Sequence, residues 1–180
     1  MIEFWIMLIN WRRDERGTLT IEFLLWLPIL AFWLVVSAAF FDAYKSRNDA
    51  AKAAHTLSDI TSRQVVVTDA FLEELFTLQD KLLPRAPEGK LLRVTSIRYS
   101  AEDEEYQVLW SEALGGGQPL TDEDIPLSIM PAMADLDSII LTELSVPYQP
   151  FTKWARITAN TWSFSLISRP RFVSAIAMID

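Results

Sequence analysis

The sequence predicts an α+β protein in which a long N-terminal helix, crossing a membrane and continuing as a stalk, precedes a small antiparallel β-sheet head. Three observations predict it. An uncharged run from Phe23 to Phe41 has membrane length, apolar residues at helical spacing persist from there to Leu83, and a period of two takes over between Leu91 and Ser168. The chain accordingly divides into residues 1–17, a short leading segment; 18–83, the long helix with its stalk and a second helix; and 84–180, the β-rich head.

The leading segment, MIEFWIMLIN and the residues after it, is apolar but too short to span, and Glu3 interrupts it. Trp5 and Trp11 suit the headgroup level of a membrane, and Met7 is as good a start as Met1. The arginines Arg12, Arg13 and Arg16 then flank the apolar run on one side, while Lys45, Arg47 and Lys52 flank it on the other. Charge bias therefore leaves orientation open. The bulk of the chain lies after Phe41, so its working part is expected there.

The run itself, FLLWLPILAFWLVVSAAFF, holds nineteen residues and reaches roughly 28 Å as a helix at about 1.5 Å per residue, close to the ~30 Å hydrocarbon thickness. Pro28 removes one helical N–H and predicts a kink in the first half, which membrane helices tolerate. At the head of the run stands Glu22. An ionisable group at the edge of a bilayer is costly and marks function by default, and neither a signal peptide nor a plain anchor needs one. A cleaved signal with Ser37-Ala38-Ala39 as its site also conflicts with the length of the run, which exceeds the usual apolar core of about 7–15 residues.

Gly17 lies five residues before Glu22, between the arginine cluster and the span. Taken together, RRDERGTLTIEFLLWLP resembles the leader and helix start of the TadE/TadG-like pseudopilins, minor pilin-type components of the tight-adherence branch of type IV pili, with Arg13, Gly17, Glu22, Phe23 and Pro28 carrying the likeness. The resemblance implies a pilin-like fold and cleavage by a prepilin peptidase between Gly17 and Thr18. It implies assembly through Glu22, Phe23 and Pro28 with other minor pilins and the major pilin on an inner-membrane platform. It also implies a single pass through the bacterial inner membrane, the C-terminal domain in the periplasm. Cleavage would place an α-ammonium at Thr18, one helical turn from the Glu22 carboxylate and at the positive end of the helix dipole. Loss of one member of such a pair would strand the other in low dielectric.

From Asp42 to about Thr61 the pattern continues with Ala43, Ala50, Ala51, Ala53, Ala54, Leu57 and Ile60 and without Gly or Pro, which predicts a continuous stalk. Its narrow alanine face suits either the sheet of its own domain or a sister helix. Ala54 to Gln64 and Arg169-Pro170-Arg171 also resemble the family, less specifically. A second helix is expected from Asp69 to Leu83, ended by Pro84 and Pro87. Strands are expected at Leu91–Tyr99, Tyr106–Ala113, Ser138–Pro147 and Thr158–Ser168. The first two form a hairpin around the acidic Glu102–Glu105 turn, with Tyr106, Val108 and Trp110 on one face. Gly115-Gly116-Gly117 is read as a flexible break and Asp122–Asp135 as irregular.

Composition narrows the function. With 16 Lys plus Arg against 24 Asp plus Glu the net charge is −8, which opposes binding to nucleic acid or to anionic lipid through bulk charge. The chain has no Cys and one His, His55 on the stalk. Cysteine and multi-histidine metal sites are thus excluded, and a Ser-His-Asp triad would have to borrow its base from the stalk. The acidic runs Glu102–Glu105 and Asp122–Asp124 lack the alternating loop of a calcium site. The expectation is a structural protein with no metal, no cofactor and no reaction of its own. The alternative is a single-pass, membrane-anchored periplasmic module that binds or senses a ligand.

Overall fold

A computed structural model of the chain describes residues 18–152 and 158–179. Helix α1 (Thr18–Ser62) runs unbroken from the span into the stalk, and two-residue strand β1 (Val66–Val67) leads to helix α2 (Asp69–Leu82). Strands β2 (Leu91–Ser100), β3 (Glu105–Leu114), β4 (Ser138–Tyr148) and β5 (Asn160–Ser168) follow, and β6 (Ala177–Met178) closes the chain. The long apolar helix and the small antiparallel sheet stand as the sequence predicts. β5 begins at Asn160, two residues later than expected, and β2, β3 and β4 each extend slightly beyond their expected ends.

The main sheet has the order β3-β2-β4-β5, antiparallel throughout. Helices α1 and α2 cover one face, where Ala50, Ala53, Ala54 and Leu57 of α1 and Leu72 and Leu75 of α2 join Leu92, Val94, Ile140, Leu144 and Val146 in one core. The positions 50, 53, 54 and 57 repeat at the helical period, and alanine there lets the helix axis lie close to the strands. The stalk's narrow face therefore belongs to its own domain. Two ties fix the direction of packing: Ser58 Oγ donates to Ser168 Oγ at 3.2 Å, and Tyr148 Oη donates to Asp42 Oδ2 at 3.1 Å. Ser168 pairs with Ile140, so Asp42 to Ser58 covers about 24 Å of helix while Ile140 to Tyr148 covers about 27 Å of strand. The two lengths match, and α1 lies antiparallel along β4.

The far end of α1 is closed by its own sequence. Among its last four carbonyls, which have no helical donor, Asp59 O accepts from Ser62 Oγ at 2.8 Å and Ile60 O from Gln64 Nε2 at 3.2 Å. Thr61 O accepts from Gln64 N, and Ser62 O from Arg171 N, both at 3.0 Å. The β-branched run Val65-Val66-Val67 then leaves the helix. Thr68 starts α2 as its N-cap, accepting from Phe71 N at 3.2 Å.

Three features depart from the sequence reading. Ser96 pairs with Trp110 but Ile97 pairs with Val108, so Leu109 is the extra residue of a β-bulge. The bulge turns Trp110 toward the helices, where its Nε1 donates to Ile176 O at 2.7 Å, while Tyr106 and Val108 face the other side. The three aromatic and aliphatic residues thus do not share a face. Secondly, the segment read as irregular contains 3₁₀ turns at Asp122–Asp124 and Leu127–Ile129. With Leu120 just before it, the segment carries Ile125, Met130 and Met133 across the second face of the sheet onto Ile97, Ile139 and Leu141 as a second core. Thirdly, β6 returns to pair in parallel with β1, Val66 with Ala177 and Val67 with Met178. Gly115 is also no loose break. Its φ is +81°, and a side-chain carbon there would meet Lys90 O at 2.0 Å, so the chain turns here against its neighbour and only glycine fits.

Candidate assembly segment and the root of the head

Thr18 is the first helical residue, and Glu22 lies four positions on, so the two positions share one face of the first turns of α1. Gly17 and the flanking Arg12, Arg13 and Arg16 lie outside the described residues. Glu22 is exposed and makes no ion pair among the described residues. Phe23 follows at 59% exposure, and Pro28 sits within the helix without interrupting it. Having no N–H, Pro28 leaves the Leu24 carbonyl without its helical donor.

Every residue from Thr20 to Leu34 is exposed, with Trp33 at 67%. So large a continuous apolar surface is not stable in water, and α1 is long and apolar enough to cross a membrane. Burial begins at Val35 and becomes complete at Ala39. One helix therefore passes from a bare half into a half packed within its own chain.

The transition coincides with the root of the head. Asp42, the first charged residue after the span, holds Tyr148 at the end of β4, and the Tyr148 ring stacks at a tilt on Trp162 with 5.7 Å between centroids. One turn further along, Arg47 lies 5.9 Å from the centroid of Phe164, a cation–π contact that ties stalk to β5. Burial, and then the hydrogen bond to Asp42 and the charge of Asp42, raise the Tyr148 phenol above its ordinary value. Beside this clasp opens a cavity of about 460 Å³ between α1, the end of α2 and the end of β4, lined by Asp42, Lys45, Asp49 and Arg85 among apolar walls that include Pro84 and Pro147.

The other candidate groups are placed differently. His55 is exposed on the stalk. Asp103 accepts from Ser100 Oγ at 2.9 Å within the β2–β3 turn, and Asp122 Oδ1 accepts from Val108 N at 2.6 Å beside the bulge. Asp124 accepts from Thr121 Oγ1 at 2.8 Å. These carboxylates organise turns, and among the described residues no three His, Asp or Glu side chains are grouped as a metal site. The root cavity is what sequence reasoning missed, although a signal existed: Asp42, Lys45, Ser46 and Asp49 fall at i, i+3, i+4 and i+7, a charged stripe along one helix face. Compared with protein-family models, with curated proteins and with solved structures, the chain matches none of them.

Proposed function

We propose that this chain is a minor pilin or pseudopilin of a Tad-type pilus, with a pilin-like fold and an assembly role rather than a catalytic one. A prepilin peptidase cuts between Gly17 and Thr18. The chain then sits in the bacterial inner membrane through Phe23–Phe41 with its head in the periplasm, and it joins other minor pilins and the major pilin through the bare half of α1 on the membrane assembly platform. The observation that carries this reading is an exposed carboxylate, Glu22, one turn from Thr18 at the start of a helix whose first half finds no partner within its own described chain. Cleavage would give that carboxylate an ammonium partner, on its own helix or on a neighbour's. A pair of that kind fixes the axial register of packed helices, because any other register leaves a charge unpaired in lipid.

The test is Glu22→Ala, followed by separation of sheared pili from membranes. The variant is expected to remain in the membrane with its head folded and to be absent from the pilus-associated fraction or to abolish piliation. Incorporation at the normal level would contradict the proposal. The second reading, a membrane-anchored binding or sensing module, is favoured by the cavity at the root of the head; in that case Glu22→Ala leaves both location and assembly untouched.

A further inference from the structure

The cavity between α1, α2 and β4 lies at a depth that can be worked out along the helix. Phe41 ends the apolar run, so at about 1.5 Å per residue Asp42 lies ~1.5 Å, Lys45 ~6 Å and Asp49 ~12 Å further along the axis. The polar headgroup layer occupies roughly 5–7 Å on each side of the hydrocarbon. Although residues 35–39 begin to pack within the chain, Phe40 and Phe41 remain 65% and 70% exposed, so the outer face of the helix stays apolar up to Phe41. The lower part of the cavity, at Asp42 and Lys45, therefore opens within the headgroup layer, and its upper part stands just above it. The Asp42–Tyr148 bond holds the end of β4 at the same level. Phe151, three residues further on and thus within about 10 Å of Tyr148 by chain reach, is 62% exposed.

The lining is chemically mixed in a specific way. Its charged residues are two bases, Lys45 and Arg85, and two acids, Asp42 and Asp49, although the chain as a whole is strongly acidic. Among the described residues Lys45, Asp49 and Arg85 make no ion pair. Asp42 uses one oxygen on Tyr148 and keeps the other. Pro84 and Pro147 supply apolar wall. The volume falls in the range of about 300–1,000 Å³ usual for small-molecule sites.

We propose that this cavity seats the headgroup of a membrane phospholipid carrying both a phosphate and a primary ammonium, the phosphate against Lys45 and Arg85 and the ammonium against Asp42 and Asp49. Such a ligand sets one opposite charge against each like-charged pair and leaves the site neutral overall; an anionic headgroup without an amine would leave the two carboxylates facing its phosphate. A bound lipid would fix the height and tilt of the head over the bilayer, since it ties the root of the sheet to the same layer that holds the span. The inference rests on the span and on the lining of the cavity, and stands whether or not the chain is a pilin.

The test uses the full chain in nanodiscs containing equal parts phosphatidylethanolamine, phosphatidylcholine and phosphatidylglycerol, with retained lipid read by native mass spectrometry after release from the disc. The expected result is one phosphatidylethanolamine retained in preference to the other two. In the double variant Lys45→Ala/Arg85→Ala that adduct is expected to fall at least about tenfold, with an unchanged melting temperature because both side chains are exposed. Asp49→Asn is expected to shift retention from phosphatidylethanolamine toward phosphatidylglycerol. Equal retention by wild type and double variant, preference of the wild type for phosphatidylglycerol or phosphatidylcholine, or binding of free phosphoethanolamine as tight as that of the lipid would each overturn the proposal.

Discussion

From Thr20 to Leu34 helix α1 is exposed on every side, whereas between Ala50 and Thr61 the same helix buries Ala50, Ala53, Ala54, Leu57 and Thr61 completely or nearly so. No break or change of element separates the two halves. The difference lies in where the apolar residues sit. In the first half they surround the axis, as in a helix meant for lipid, and in the second they form a stripe that one sheet can cover. The upper half is satisfied inside the chain. The lower half finds no cover among the described residues and is long and apolar enough to cross a membrane, so damage to the two halves is expected to appear in different measurements.

The largest expected effect is in the packed half. Leu57→Ala leaves a cavity where α1 meets the sheet and is expected to destabilise the head by about 2–5 kcal/mol, read from denaturant unfolding of the detergent-solubilised protein. Thr68→Ala removes the hydrogen bond that starts α2 and is expected to cost about 1 kcal/mol in the same experiment. The boundary between the halves gives a smaller effect that depends on pH. The Tyr148 phenol is raised by burial first and Asp42 second, so the folded state holds that proton more tightly than the unfolded chain, whose tyrosines ionise near pH 10. Its contribution is therefore whole below about pH 10 and is lost as pH rises through the higher folded value. Tyr148→Phe is expected to remove that part of the alkaline decline, visible as a difference between the two unfolding profiles from pH 9 to 12. In the bare half, Leu25→Ala is expected to change head stability by nothing measurable; a loss comparable to that of Leu57→Ala would show that the two halves are not separate.

Much of this architecture was legible in the sequence because its signals are local. The α1 stalk follows from an unbroken alanine-rich period, α2 from the spacing of its apolar residues and from Pro84 and Pro87 that end it, and the four long strands from alternation on either side of turn residues. What stayed hidden depends on contacts between distant segments. The bulge at Leu109 is invisible to a strict period of two, since Trp110 looks like the next member of the series Tyr106, Val108 until its partner Ser96 is known. The pairing of β1 with β6 joins two-residue strands more than a hundred positions apart, too short to carry a pattern. The second core draws Leu120, Ile125, Met130 and Met133 from a segment rich in proline and acid, where spacing says little. Of the assembly segment, Glu22, Phe23 and Pro28 lie on α1 as read, and the root cavity required α2 and β4 to be brought to the same turn of the helix.

The account depends most on a new amino terminus appearing one turn before Glu22. Intact-mass measurement and N-terminal sequencing of the protein purified from native membranes test it directly. The expected chain begins at Thr18 and lacks Arg12, Arg13 and Arg16; a mature chain that retains those arginines would contradict the pilin reading and leave a membrane-tethered binding module in its place.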